Sequence, residues 1–144
     1  SSFQRLDHRG MTACYSDDII FFDPAFGLLK GEQATCMWEM LCKNAKDFSL
    51  TYGNIRHLDE EYSTCDWTAT YTFSKTGRKV VNKIRANMRF ADGKIIEHSD
   101  AFSLHKWASQ ALGFTGWLLG WNRFFQRKIQ NGARKNLVRF MESR

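Results

Sequence analysis

The chain has 144 residues, of which 43% are hydrophobic and 25% charged, a balance that fits one soluble domain with a core of its own. Its four cysteines (Cys14, Cys36, Cys42, Cys65) form no CxxC pair and no metal-ligand spacing, which excludes a disulfide scaffold and reads as reduced thiols in a cytoplasmic protein. The net charge of +6 is uneven: residues 1–103 carry 13 Lys and Arg against 14 Asp and Glu, whereas 104–144 carry eight against Glu142 alone, so a wholly basic domain is excluded.

In chain order, Phe3, Leu6, Met11, Cys14 and Tyr15 have rough helical spacing, and residues 1–15 read as the end of a helix. The chain opens on Ser1-Ser2-Phe3 with no initiator Met and no signal peptide, so its natural start is expected upstream. Ser16-Asp17-Asp18 reads as a turn and Ile19–Asp23 as a short buried strand. Asp23 precedes the only proline, which favours extended geometry at that residue. A carboxylate there is either a turn residue facing water or a base aimed into a pocket. Residues 32–44 read as a second helix with Cys36, Met37, Met40 and Leu41 on one face.

Four strand-like stretches follow. Phe48, Leu50 and Tyr52 alternate with polar residues until Gly53, a candidate bulge. Cys65, Trp67, Ala69, Tyr71 and Phe73 alternate with Thr64, Asp66, Thr68, Thr70 and Thr72. A turn at 75–77 leads to a strand with Ile84, Ala86, Met88 and Phe90 on one face and Lys83, Arg85, Asn87 and Arg89 on the other. A turn at 91–93 leads to a last strand from Lys94 to about Phe102, and antiparallel pairing with one wet face is the natural arrangement. On this last strand Ile96, His98, Asp100 and Phe102 share a face. Two ionisable groups in an apolar stripe suit an acid/base site, since burial and proximity shift their proton affinities. The competing reading is an exposed face carrying a surface pair.

Beyond the strands, Trp107, Ala111, Phe114, Leu118, Trp121, Phe125 and Ile129 form a long helical stripe, which Gly113, Gly116 and Gly120 break into two helices near 113–120. Residues 107–125 are too polar for a membrane span. This tail reads as helix packed on the domain or on a second subunit, with its basic residues solvated. Contact with a membrane surface is the alternative, and no named motif supports nucleic-acid binding.

The order of elements resembles the NTF2-like superfamily, closest to SnoaL-like polyketide cyclases and ketosteroid isomerase-like proteins. Leu6-Asp7, Met11 and Tyr15-Ser16-Asp17-Asp18 resemble the family's first helix and turn, and Phe22-Asp23-Pro24 with Gly27 and Gly31 its first strand and entry to the next helix. Met88-Arg89-Phe90, Asp92-Gly93-Lys94-Ile95 and His98-Ser99-Asp100 resemble its final hairpin. The resemblance covers roughly residues 3–104 and implies an α+β cone, a curved sheet wrapped around helices with a deep apolar pocket; residues 1–104 would form this domain and 105–144 a basic helical extension packed on it.

It also implies roles. Asp23 falls where ketosteroid isomerases carry their general base, but Ala86 occupies the position of their protonated Asp, and the position of their Tyr falls before residue 1. Asp100 falls where SnoaL-like cyclases and limonene epoxide hydrolase-like proteins carry an acid/base Asp. The implied activity is cofactor-independent acid/base chemistry (cyclase, isomerase, dehydratase or hydrolase) on a small hydrophobic molecule. Asp100 would move the proton, with His98 or Asp23 stabilising the enolate oxygen. Phe102, Trp38, Tyr52, His57, Trp67, Ala86 and Met88 are candidates for the pocket wall, although a Trp or Tyr on an apolar strand face is more commonly core. A non-catalytic binding or assembly module is the other function class. No cofactor, metal or nucleic acid is expected, and a homodimer paired through the sheet is.

Overall fold

The alternation from Cys65 to Phe73 becomes most of a 12-residue strand, the last but one of a six-stranded sheet. The structure, a computed structural model, describes Arg5 and residues 7–143; Phe3 and Leu6, part of the expected first helix, lie outside the described residues. The elements are α1 (His8–Thr12), β1 (Tyr15–Asp23), β2 (Gly27–Lys30), α2 (Glu32–Asn44), β3 (Ser49–His57), β4 (Tyr62–Phe73), β5 (Arg78–Ala91), β6 (Lys94–Ala101), α3 (Leu104–Leu112), α4 (Phe114–Leu119) and α5 (Arg123–Glu142). Strand order is β2-β1-β6-β5-β4-β3. β1 and β6 run parallel, and the other four ladders are antiparallel.

The hairpins follow from local chemistry. Asp92 and Gly93 both have positive φ (51° and 76°), the two-residue turn whose twist matches that of the flanking strands. β3 carries its irregularity between Gly53 and Arg56, as the glycine suggests. Two expectations need correction, and one strand was not foreseen. Residues 16–18 are not a turn but part of β1, because that strand is drawn out by pairing with β6 at Tyr15↔Ile95 as well as at Ile20↔Glu97. β2 was not legible as a strand; it pairs back on β1 from Asp23↔Gly27 to Ile20↔Lys30. Ile96 does not share the face of His98: the register slips between Arg89 and Phe90, so that Ile95 is buried instead.

The inward residues of β1, β2 and β6 pack against α2 and α5. Ile19, Phe21, Leu29 and Met37 are almost wholly enclosed, and Leu137 brings α5 into the same core. On α2 the buried side is broader than expected: Ala34, Trp38 and Cys42 join Cys36, Met37 and Met40, while Leu41 is at the surface. α5 reaches the β1–β2 turn, where Arg134 Nη1 donates to the carbonyls of Phe26 and Leu28 (2.8 and 3.0 Å) and Gln130 Nε2 to that of Pro24 (2.9 Å).

The tail forms three helices, not two. Gly113 (φ 72°) ends α3, and the chain folds back so tightly that a Cβ at Gly116 would overlap the Ala108 carbonyl. The stripe from Trp107 to Ile129 is therefore split: Ala111 is buried, whereas Phe114, Leu118 and Trp121 face outward. α3 covers the free edge of β5, where β6 no longer pairs. Gln110 acts there as a substitute peptide, accepting from Val81 N (2.7 Å) and donating to Val81 O (3.0 Å). Gly116→Ala is expected to cost about 2 kcal/mol or more, since the backbone of α3 must retreat; thermal unfolding checks this, and an unchanged melting temperature would show that α3 and α4 are not in close contact.

Candidate functional site

The registers of β1, β6, β5 and β4 set out two rows on the covered face of the sheet. Phe21, His98, Met88 and Ser63 lie side by side across successive strands, as Phe21↔His98, His98↔Met88 and Met88↔Ser63. Two residues further along β1 and β6 come Asp23 and Asp100, and Asp100 pairs across to Ala86 and then Cys65. Side chains at alternate positions share a face, so both carboxylates point into the covered side on adjacent strands. Asp23 and Asp100 are 8% and 5% exposed, which excludes the water-facing alternative for either.

Asp23 is also a turn residue. Pro24, Ala25 and Phe26 form the loop, Gly27 closes it with φ 74°, and the Phe26 amide donates to Asp23 Oδ1 at 2.6 Å. Burial raises its pKa from 3.8 to about 7; the Phe26 amide opposes this, the Asp100 charge adds to it, and His98 opposes it again.

Asp100 belongs to a hydrogen-bonded chain. His98 Nε2 lies 2.8 Å from Asp100 Oδ1, His98 Nδ1 lies 2.6 Å from Tyr15 Oη, and Trp38 Nε1 donates to Tyr15 Oη at 2.9 Å. Trp38 Nε1–H can only donate, so Tyr15 Oη accepts from it. An ionised Asp100 can only accept, and it then takes the His98 Nε2 hydrogen, in which case a neutral ring receives the Tyr15 hydroxyl at Nδ1. Oδ2 of Asp100 is thereby left as the end of the chain. Tyr15 is held well above its usual pKa by burial, with the Asp100 charge adding to it and the Trp38 donor opposing. The imidazole is wedged among rings, with centroids at 5.1 Å from Phe21, 5.9 Å from Tyr15 and Trp67, and 6.2 Å from Trp38.

The remaining candidates divide. Trp38, Trp67, Ala86 and Met88 are on the covered face around this chain. Phe102 is half-buried just beyond β6. Tyr52 pairs with Trp67 but sits on the edge strand with 48% of its surface exposed, because β3 has no outer neighbour. His57 is exposed at the far end of β3 and bonds Ser63 Oγ (2.8 Å), away from both carboxylates. Tyr15 was missed as a site residue. Its signal was the odd-numbered run Tyr15, Ile19, Phe21, Asp23, hidden by reading Asp17-Asp18 as a turn. Tyr71 was also missed as a neighbour of Asp23: its pKa is raised by burial, with the Asp23 charge adding to the rise, and its hydroxyl accepts from Trp107 Nε1 (2.8 Å).

Two surface depressions stand out, and neither is lined by Asp23 or Asp100. One of about 430 Å³ runs along α5 at Asn131, Arg134 and Val138, and one of about 210 Å³ lies by Ile20, Phe22 and Tyr62. Among the described residues no three His, Cys, Asp or Glu side chains cluster so as to hold a metal ion.

The family model of the SnoaL-like domain matches residues 2–98. The chain belongs to the SnoaL-like family. Solved structures agree on the fold. A candidate polyketide cyclase from Silicibacter superposes with a TM-score of 0.67 at 18% identity, covering 76% of this chain and 87% of that one. A Catenulispora acidiphila protein with a ketosteroid isomerase-like fold, in complex with trimethylamine, gives 0.66 at 13%, with 76% and 85% covered. IdmH from Streptomyces antibioticus, a candidate polyketide cyclase, gives 0.62 at 18%, with 76% and 89% covered. No curated protein matches the sequence. The SnoaL-like fold is thus the NTF2-like α+β arrangement expected from the sequence.

The proton held by Asp23 has a consequence for stability. Between about pH 4 and pH 7 the folded state keeps a proton that the unfolded chain has released, so stability falls as pH rises through that window. Asp23→Asn keeps an acceptor for the Phe26 amide and removes the titration. Between pH 4 and pH 8 the wild type is expected to lose on the order of 2–4 kcal/mol more than the variant in urea unfolding. Parallel pH profiles would show that Asp23 is not a protonated buried acid.

Proposed function

We propose that this SnoaL-like protein is a cofactor-independent acid/base enzyme acting on a small hydrophobic, polycyclic molecule by cyclisation, isomerisation, dehydration or epoxide opening. The observation that carries the reading is the pairing of two buried carboxylates in different environments on adjacent strands. Asp100 ends a relay through His98 and Tyr15, while Asp23 titrates near neutrality. Buried carboxyl groups in different surroundings can divide the roles of base and acid between them.

In this mechanism Asp100 Oδ2 removes a proton from an activated carbon. The His98 Nε2–H bond to Oδ1 steadies the carboxyl group through the step, and Asp23 in its protonated form gives a hydrogen bond or proton to the developing enolate oxygen. Ala86 stands where a second acid would serve a steroid isomerase, so the oxygen relies on Asp23. Tyr71, whose hydroxyl accepts from Trp107 Nε1, is partly buried within reach of the Asp23 charge. The likeness of the fold to candidate polyketide cyclases supports a polycyclic substrate class. The reading includes a homodimer paired through the outward face of the sheet, where Ile20 and Phe22 are exposed on β1 and the Arg85–Asp66 ion pair (2.6 Å) lies on β5 and β4.

A second reading, a non-catalytic module, is favoured by one observation: Trp38 and Trp67 stack at 6.3 Å directly against the His98 ring, filling the space above it. A thermal-shift and turnover screen of polycyclic ketones, lactones and epoxides separates the two. On a substrate found this way, Asp100→Asn is expected to lower turnover about 10²–10⁴-fold with the fold intact by circular dichroism, and Tyr15→Phe to lower it less. Unchanged turnover in Asp100→Asn removes Asp100 from the mechanism, and a screen with neither shift nor turnover supports the module.

A further inference from the structure

Six large apolar side chains stand out of the surface where α4 meets α5. Phe114 is 72% exposed, Trp117 58%, Leu118 48%, Leu119 39%, Trp121 68% and Phe124 82%. A patch of this size on a chain with a well-formed core marks an interaction surface. It is held firmly in this outward pose. The glycine contact of Gly116 with Ala108 fixes α4 on α3, and His105 Nε2 bonds the Trp117 carbonyl (2.9 Å). Asn122 Oδ1 caps α5 by accepting from Phe124 N and Phe125 N, and Gln126 Nε2 donates to Gly120 O (2.7 Å).

The charge beside the rings has one sign. Arg123, Arg127 and Lys128 are exposed on the first turns of α5, and Lys135 and Arg139 continue the outward side of that helix. No Asp or Glu occurs between Asp100 and Glu142. Trp, Phe and Leu at a protruding corner with Lys and Arg alongside is the composition of an interfacial helix, with rings at the headgroup level and cations at the lipid phosphates.

We propose that the α4–α5 corner is a docking surface for a leaflet of anionic phospholipid, on which the protein lies without crossing it. Among the described residues no helix is long and apolar enough to cross a membrane. A second copy is a poor occupant, because a two-fold contact here would bring two surfaces of the same positive charge together. A protein partner would meet a charge-depleted centre with a mixed polar rim, whereas here cations adjoin the rings directly. This surface is independent of the acid/base reading.

Flotation of the whole chain with vesicles tests it. Binding is expected to vesicles of phosphatidylcholine with about one-third phosphatidylglycerol, with a blue shift of tryptophan emission, and to weaken at high salt. Neutral phosphatidylcholine vesicles are expected to bind far less. Trp121→Ser/Phe124→Ser and Arg127→Glu/Lys128→Glu, both at exposed positions, should each lower binding about tenfold or more while leaving the melting temperature nearly unchanged. The charge pair serves as the second variant should the ring pair lose its fold. No flotation with anionic vesicles overturns the proposal, as does equal binding to neutral ones. A concentration-dependent dimer dispersed by Trp121→Ser/Phe124→Ser would assign the corner to a second copy instead.

Discussion

Across the one parallel ladder among the described strands, Phe21 sits beside His98, and the covered face is organised by that pairing. A parallel neighbour advances in the same direction as its partner, so the next inward residue on each strand is also adjacent. Two carboxylates, far apart in the chain, thereby come together in a place from which water is excluded. Neither strand alone would bury a charge; together they place Asp100 in a hydrogen-bonded chain and leave Asp23 to hold a proton. An isolated buried carboxylate is costly, and these are the two routes by which that cost is met.

The C-terminal helices bear on the same point. α5 donates three side-chain hydrogen bonds through Gln130 and Arg134, two to carbonyls of the turn that carries Asp23 and one to Leu28 of β2 just beyond it. Arg134 and Gln130 thus link the helical tail to the geometry of the acid. α3 completes the enclosure from the other end, with Trp107 on Tyr71 and against Phe73 at a centroid distance of 5.3 Å. The tail is divided in its chemistry: Leu137 and Ala108 are buried, while the α4–α5 corner turns its rings outward beside the cations.

Much of the fold was legible because period-two alternation is local. β4, β5 and the bounds of α2 could be read from neighbouring residues, and the bulge in β3 from one glycine. What was not legible depended on partners remote in sequence. Tyr15–Asp18 is extended only because β6 lies alongside it, and β2 is a strand only because β1 is there to pair with. The slip at Ile96 reversed an inward and an outward residue for the same reason. The stripe of the tail was read as one face, but two glycines redirect the chain and divide it between core and surface.

The sequence by itself determined that His98 and Asp100 share a strand face, that Asp23 ends an apolar strand at a fixed turn, and that the excess of positive over negative charge lies in the last quarter. These are matters of local spacing, bond geometry and counting. Only the tertiary structure decided that Asp23 and Asp100 are buried on adjacent strands, that Tyr15 and Trp38 complete the chain through His98, and that Tyr52 and His57 lie at the exposed edge. The physical reason is that hydrogen bonds and burial are properties of pairs, and the strand order that makes those pairs is written in no single stretch of the chain.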